Sequence, residues 1–560
     1  MMSDKSRSRQ SSVLDRDRID GIQASNVRAG EQLAETVRTT LGPKGLDKLL
    51  LTSDGRMVVT NDGASILDHL EVEHPAAKLI LEVAQQQDTR AGDGTTSAVL
   101  LAGELLGESG SLRERGIHPT KIIEGYHLAA AHIKEVLPEL TVRTNLNDKR
   151  LEDIAQTVIT GKWDESGTAF LAERAVEAVR AIELDGRVGF EKITRKTIPG
   201  GSFYNSEVVE GLVIDMEESS TDIVSPDGQL PSTYTDANVA LVDEELSIDE
   251  PTGVGAVEPD SYENFKAFRE REDGIYQQYV DAIIDVGADI VFCQQSIDDP
   301  VRYRLAKAGI LAVERTRRDE LNKLARATGA QPVTMDQLSP STIGYATTVE
   351  RRSVGTTELV VVSGFDEFDQ VSLLFRGGTE RIADETKRKL DDCLYALKLA
   401  IEDEALLPGG GAVEVALADE LRSLSTTYSG REQLAIEAVA DALETIPRTL
   451  AQSAGMDPID TLIELRTRHE DGDTTAGLDL QRAEVTDMAA AGVLEPLYVK
   501  HQAITSAVEA VNLIVRIDNA VSVSGHDREG HGHEDHDHGP SDIVPSTEGY
   551  PWALGHSMGH

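Results

Sequence analysis

The 560-residue sequence is short of positive charge: 54 Lys and Arg stand against 98 Asp and Glu, for a formal charge of −44. Such a chain repels phosphate backbones and anionic lipid, which argues against nucleic acid and membrane as partners. Aromatic residues make up 4 %, so the cores must rest on Ala, Val, Leu and Ile. The two cysteines, Cys293 and Cys393, form no C-x-x-C pair and read as buried, reduced thiols. No apolar run approaches the roughly 18 residues of a membrane span. Met1–Arg18 is polar and mixed in charge, without the apolar stretch of a secretory signal; a cytoplasmic protein is expected. The common nucleotide and hydrolase motifs are also missing. There is no G-x-x-x-x-G-K-[ST], no G-x-G-x-x-G, no zinc-protease motif and no G-x-S-x-G elbow, which excludes a P-loop enzyme.

The chain is long enough for several domains, and 40 % hydrophobic residues is ordinary for a globular protein. The acidic excess is spread along the whole sequence. Self-repulsion at that charge destabilises a compact state, and concentrated salt relieves it by cutting the screening length to about 3 Å at 1 M. The composition resembles that of proteins from salt-loving archaea; an acidic protein of ordinary habitat is the alternative.

The pattern of elements changes twice. Residues 1–17 are rich in Ser, Arg and Asp and are expected to be disordered. From Ile22 to Leu140 apolar helices dominate, interrupted by a hairpin of Leu49–Leu51 and Met57–Thr60 about an Asp54-Gly55 turn. Between about 190 and 370, β-branched runs such as Val239–Val242, Ile290–Phe292, Ile310–Val313 and Leu359–Val362 alternate with helical stretches, which reads as an α/β domain. Long helices return from Asp384 to near Val523. Helical material thus flanks an inserted α/β domain, and the flanks must meet again in space as one discontinuous helical domain. The tail from Gly525 to His560 carries His526, His531, His533, His536, His538, His556 and His560 among Gly, Asp and Pro. It cannot build a core, although flexible histidines of this kind bind Ni²⁺, Cu²⁺ or Zn²⁺ weakly.

Four clusters carry chemistry. They are Thr40-Leu41-Gly42-Pro43-Lys44-Gly45, Thr60-Asn61-Asp62-Gly63, Gly92-Asp93-Gly94-Thr95-Thr96 before an apolar helix, and Pro408-Gly409-Gly410-Gly411 before another. Glycines expose backbone N–H groups, and a helix N-terminus is partly positive, so the third cluster suits an anion. Phosphate would repel Asp93 unless a divalent cation bridged them, and Mg²⁺ uses one or two carboxylates plus phosphate oxygens. Each cluster alone is equally readable as a structural turn.

The segments VRTTLGPKGLDKLL (Val37–Leu50), VTNDGASIL (Val59–Leu67), HPAAKLILEVAQQQD (His74–Asp88), AGDGTTSAVLLAGELL (Ala91–Leu106), TVITGK (Thr157–Lys162), LAKAGILAVERT (Leu305–Thr316), LARATGA (Leu324–Ala330), PGGGAVE (Pro408–Glu414) and GVLEPLYVKHQAITSA (Gly492–Ala507) resemble, in order, the motifs of group II chaperonins, the thermosome and eukaryotic cytosolic chaperonin family. The resemblance covers almost the whole chain and implies a multidomain α + α/β fold. Its parts would be an equatorial ATP-binding domain (18–146 and 404–524), an intermediate hinge (147–212 and 370–403), and an inserted apical domain (213–369) with a lid protrusion near 246–276. The tail, 525–560, would be disordered.

It also implies a function: an ATP-dependent chaperone and ATPase, one subunit of a double ring of identical or paralogous chains that encloses unfolded client proteins. ATP and Mg²⁺ would be its cofactors, with K⁺ a candidate further cation. By the resemblance, Leu41, Gly42 and Pro43 cradle phosphate, as do Gly92, Gly94, Thr95, Thr96 and Ser97. Asp93 holds Mg²⁺, and Asp62 orients water near it. Asp392 activates the attacking water, its neighbour Asp391 being the alternative by a one-residue slip. Lys162 senses the γ-phosphate, Gly410 and Gly411 approach the nucleotide closely, and Asp479 and Glu495 contact the adenosine side. Three features depart from the family. The stretch after Val213 is acidic, Arg302-Tyr303-Arg304 sits on a helix that faces the chamber in relatives, and Gly477–Ala483 lacks the usual Thr-Gly. The alternatives are a ring subunit that binds ATP but hydrolyses it weakly and a scaffold or storage ring without ATPase activity.

Overall fold

The computed structural model describes residues 4–51, 55, 57–161, 164–216, 230–248, 262–355, 357–364 and 370–517. All of these fall within one compact unit, Met1–Asp518. The histidine-rich tail lies outside the described residues.

The main apolar cores do not follow the order of the sequence. The first is helical and is assembled from both parts of the chain. Leu33 to Leu137 supplies one half of it and Leu407 to Val515 the other. Its helices begin on clear signals. Pro75–Ala91 and Pro119–Val136 each place proline in the first turn, where its missing N–H costs nothing, behind a histidine whose ring accepts a backbone N–H. The Thr95–Glu114 helix is apolar almost all round, with Ala98, Val99, Leu100, Leu101, Ala102, Leu105 and Leu106 buried, because other helices cover it on several sides. The first helix runs from Asp4 to Arg38, which corrects the expectation of disorder over residues 4–17. No glycine or proline interrupts Asp4–Asp20, so a helix nucleated further along by Leu33, Ala34 and Val37 in the core propagates backward at small cost per residue.

The second core joins the helices Asp148–Ile159, Glu165–Ile182 and Glu380–Asp403 to a three-stranded sheet. In that sheet Val371–Gly377 runs parallel to Ile193–Pro199 and antiparallel to Glu207–Glu210. The remaining cores sandwich a seven-stranded mixed sheet. Thr233–Val242 is parallel to Ile290–Cys293, which is parallel to Leu311–Val313. Gly344–Val354, Thr357–Ser363 and Leu212–Met216 continue it antiparallel on the other side. The β-branched runs read from the sequence lie in these strands. The hairpin is also present, with Lys48–Leu51 antiparallel to Met57–Thr60; Asp54 lies outside the described residues. Cys293 and Cys393 are buried and unbonded to each other.

Of the Arg302-Tyr303-Arg304 stretch, Arg302 does not face outward. It is buried and donates to Glu314 at 2.5 Å, because Asp299–Lys307 packs its Val301 and Leu305 side on the sheet. Tyr303 on the same helix is exposed, and Arg304 pairs with Asp273 at 2.7 Å. Of the lid segment, residues 249–261 and the side chains of Tyr262, Phe265 and Phe268 lie outside the described residues. The following part of the Tyr262–Asp285 helix is anchored: Val280 and Ile283 are buried, and the Tyr276 hydroxyl donates to Asp298 at 2.8 Å.

One polar hub stabilises the helical core. Glu444 has no exposed surface, yet three arginines surround it. Arg422 donates at 2.8 Å, Arg448 at 3.0 Å, and Arg466 forks across both oxygens at 2.7 and 2.5 Å. Burial alone would raise the pKa of Glu444, but the bonds from Arg422 and Arg466 overcome it and hold the carboxyl below its ordinary value. Glu444→Ala is expected to cost about 1–3 kcal/mol, because it removes the buried acceptor of the half-exposed Arg448 and Arg466, while Arg422 keeps Asp441. The sign with pH follows: this stabilisation is complete above the ordinary glutamate pKa and is lost as pH falls through the lowered folded value. Denaturant titrations of wild type and variant should therefore differ most at pH 7, and the gap should narrow as the pH is lowered below the ordinary glutamate range.

Candidate nucleotide-binding site

A cavity of about 350 Å³ opens where the helical core meets the second core. Its wall is assembled from distant loops. Leu41, Gly42 and Pro43 follow the first helix, and Asp62 precedes a short helix. Gly92, Asp93, Gly94, Thr95, Thr96 and Ser97 join two long helices, and Asp392 projects from Glu380–Asp403. Gly410 and Gly411 open another helix, and Asp479 and Glu495 close the far side. Every site residue expected from the sequence lines this cavity except Lys162, which lies outside the described residues.

Two glycines show why the loops need that residue. Gly94 has φ +80° as the cap of Thr95–Glu114, and a Cβ there would lie 2.9 Å from Val499. Gly410 has φ +63°, and a Cβ would meet the backbone of Leu478 at 2.7 Å. Both positions would be strained and blocked for any side chain. The Gly94 cap supplies no side-chain acceptor, so the first-turn N–H groups of that helix, with the Thr95 and Thr96 hydroxyls, line the cavity without a protein cap.

Asp93 is pinned in place. Its Oδ1 accepts the Gly94 N–H at 2.6 Å, and its carbonyl accepts from Gln87 Nε2 at 2.7 Å. Gln87 is wholly buried and also donates to Val499 O at 3.1 Å, tying the loop to the Leu497–Val515 helix. Burial raises the Asp93 pKa, partly offset by the Gly94 N–H, Lys389 and Lys500. Asp62 caps Gly63–Asp68 by accepting from Ser65 N at 3.1 Å and receives Arg388 at 3.3 Å. Asp392 lines the cavity and pairs with Lys389 at 3.1 Å. Burial raises the pKa of its carboxyl, Lys389 opposes that rise, and Asp62 and Asp93 nearby add to it. Asp391 is not on the cavity wall; it pairs with Arg195 at 3.0 Å.

On the far side Asp479 accepts the N–H groups of Gln481 and Arg482 at 2.9 and 3.1 Å, shaping the turn between two short strands. Glu495 is held by Lys500 at 3.0 Å, and Lys500 also donates to the buried Glu414 at 2.7 Å. Burial opposes the Lys500 charge, but the two glutamates outweigh it and raise its pKa. Lys389, Lys500 and Gln87 are not anticipated by the sequence reading. The available signal is spacing: Lys389 lies three residues before Asp392, one helical turn on the same face.

The donor set fits a magnesium nucleotide. Among the described residues no group of three His, Cys, Asp or Glu side chains forms a metal cage. Mg²⁺ takes one or two carboxylates and completes its octahedron with phosphate oxygens and water. Asp93 is the candidate ligand, and the uncapped helix N-terminus beside it is the candidate phosphate cradle. Among the described residues no helix is long and apolar enough to cross a membrane.

Residues 33–524 match the TCP-1/cpn60 chaperonin family. The chain is 44 % identical over 505 residues to thermosome subunit alpha of Halobacterium salinarum, covering 89 % of this chain and 88 % of that one. It is 43 % identical over 502 residues to thermosome subunit 1 of Haloferax volcanii, again covering 89 % and 88 %. It is 44 % identical over 508 residues to the thermosome subunit of Methanopyrus kandleri, covering 89 % and 92 %. The family match spans both halves of the helical core, and the chain belongs to the TCP-1/cpn60 chaperonin family as a group II member.

Proposed function

We propose that the protein is an ATP-hydrolysing subunit of a double-ring chaperonin that encloses non-native proteins. The observation that carries this is the cavity that gathers the glycine loops with Asp62, Asp93 and Asp392. Phosphoryl transfer to water needs positioning and charge neutralisation more than covalent help. In this reading the 92–97 loop would hold the phosphates and Asp93 would hold Mg²⁺, whose charge would offset theirs. Asp62 and Asp392 orient water in line with the γ-phosphate. Asp62 belongs to the helical core and Asp392 to a helix of the second core, so relative movement of the two would gate hydrolysis. The equatorial, intermediate and apical divisions given above are the domains we assign to these cores.

The hairpin supports assembly. Leu49 faces Val59 and Leu51 faces Met57 across the register, and all four side chains are exposed on one face. A contiguous apolar face of this kind usually has a partner, and a neighbouring subunit is the simplest one. Purified rings in concentrated salt should hydrolyse ATP and, under ATP, shield a bound client from protease. Replacing residues 250–270 with a short Gly/Ser linker tests the lid: rings and hydrolysis are expected to persist while protection is lost. Survival of protection would show that this segment is not the lid, and absence of ATP turnover in the intact chain would overturn the ATPase reading.

A further inference from the structure

The carboxylates of Asp62, Asp88, Asp93 and Asp392 are among those that line the cavity we read as a polyphosphate site. The Lys389 ammonium stands among them. Lys389 Nζ lies 3.1 Å from Asp392 Oδ2 and 3.5 Å from Asp62 Oδ1, with its side chain only 10 % exposed. Burying a lysine is costly unless it is paired. Here burial works against the charge, but Asp392 and Asp62 outweigh it.

The two acceptors belong to different cores. Asp62 begins the helix whose Ile66 and Leu67 sit in the first core. Lys389 and Asp392 stand on the helix whose Leu390, Leu394 and Leu397 sit in the second. The ammonium therefore bridges the two cores at the cavity wall, with Arg388 reaching Asp62 beside it. The adjacent carboxylates are also sorted by their cations: Arg195 takes Asp391 away from the cavity, and Lys389 keeps Asp392 in it.

We propose that Lys389 is a positioning residue of the hydrolytic centre, a resident cation that holds Asp392 against Asp62 at the cavity wall and offsets the carboxylates before the nucleotide enters. This rests on the ATPase reading above. It has two consequences. Without the ammonium, Asp392 loses its tether and turnover falls. The carboxylates also face incoming phosphates with less compensation, which matters most when no divalent ion accompanies them.

The test compares assembled rings of wild type, Lys389→Met and Lys389→Arg in concentrated salt. For Lys389→Met, kcat is expected to fall about tenfold or more while KM for Mg·ATP stays within about threefold, the split that marks lost transition-state positioning. Lys389→Arg, which keeps the charge, should recover most of that loss. Calorimetric titration with ATP in excess EDTA gives a readout independent of turnover. Lys389→Met should bind about tenfold more weakly than wild type there, because like charges are left uncompensated at short range. A packing role would instead lower the melting temperature, spare kcat, and give no rescue by the bulkier arginine. The assignment is overturned by a Lys389→Met kcat within about twofold of wild type, or by Lys389→Arg behaving no better than Lys389→Met. Should Lys389→Met fail to assemble, Lys389→Gln carries the same two readouts. Wild-type rings that neither bind nor hydrolyse ATP would overturn the reading of the whole cavity and Lys389 with it. Active wild-type rings beside an unaffected Lys389→Met would overturn the Lys389 assignment alone.

Discussion

Asp392→Ala is expected to lower ATP turnover by about 10²- to 10⁴-fold, the range that a positioned acid–base group contributes, while ATP binding and ring assembly survive. The asymmetry follows from where the carboxylate sits. Asp392 is on the cavity wall but on a different helix from the glycine loops that we assign to the phosphates. Its removal therefore strikes a group whose work is done mainly in the transition state, which lowers kcat with little effect on ground-state binding. Nor should the fold suffer, because the Leu390, Leu394 and Leu397 side of that helix is untouched. Asp391→Ala is the control. It breaks the pair with Arg195 outside the cavity, so it should leave most of the turnover. Single-turnover hydrolysis together with nucleotide binding decides the matter. A nearly normal rate in Asp392→Ala with a collapsed rate in Asp391→Ala would move the hydrolytic role by one residue.

The second large effect is produced by salt. Each chain carries a formal −44, and a ring brings many such chains together. At 0.1 M salt the screening length is about 10 Å, long enough for neighbouring acidic surfaces to repel, whereas at 1 M it is about 3 Å. Rings are therefore expected to dissociate or unfold on dialysis from multimolar salt into a 0.1 M buffer. Light scattering and circular dichroism would follow the two events separately. The paired charges argue in the same direction. Exposed pairs such as Lys266 with Glu270 add little, and the acidic excess leaves many carboxylates with no cation to meet. Intact, active rings after overnight dialysis would count against a salt-adapted protein.

Much of the site is legible in the sequence because its loops must do two things at once. Gly94 and Gly410 have to adopt left-handed backbone and admit a close neighbour, and few residue patterns other than glycine clusters permit that. Asp62 and Asp93 are visible because they stand inside those clusters. The lysines are hidden for the opposite reason. Lys389 sits in the run Lys387-Arg388-Lys389 of an amphipathic helix, where charged residues ordinarily face solvent, and only packing against the first core buries it. Lys500 resembles any lysine on a helix until Glu414 and Glu495, from two other segments, close on it. The helical start at Asp4 is obscured by composition: a Ser- and Arg-rich stretch reads as disordered, yet without a breaker it extends a helix that its neighbours already hold. The burial of Arg302 escapes the sequence because a local window cannot tell which side of a short helix meets Glu314.

The discontinuous helical core has a consequence for how the chain is made. Leu33 to Leu137 leaves the ribosome early, but the partners that complete its packing begin only at Leu407. Through the synthesis of everything between, the first helices can pack on one another but lack the rest of their native cover, a state prone to aggregation. The entropy of closing so long a loop grows only logarithmically, so the burden is delay rather than final stability. The sheet between Leu212 and Ser363 is bounded by its own core and can settle first, drawing its two ends together before the last helices arrive. A newly made subunit is therefore itself a non-native protein in need of shelter until its C-terminal helices are out.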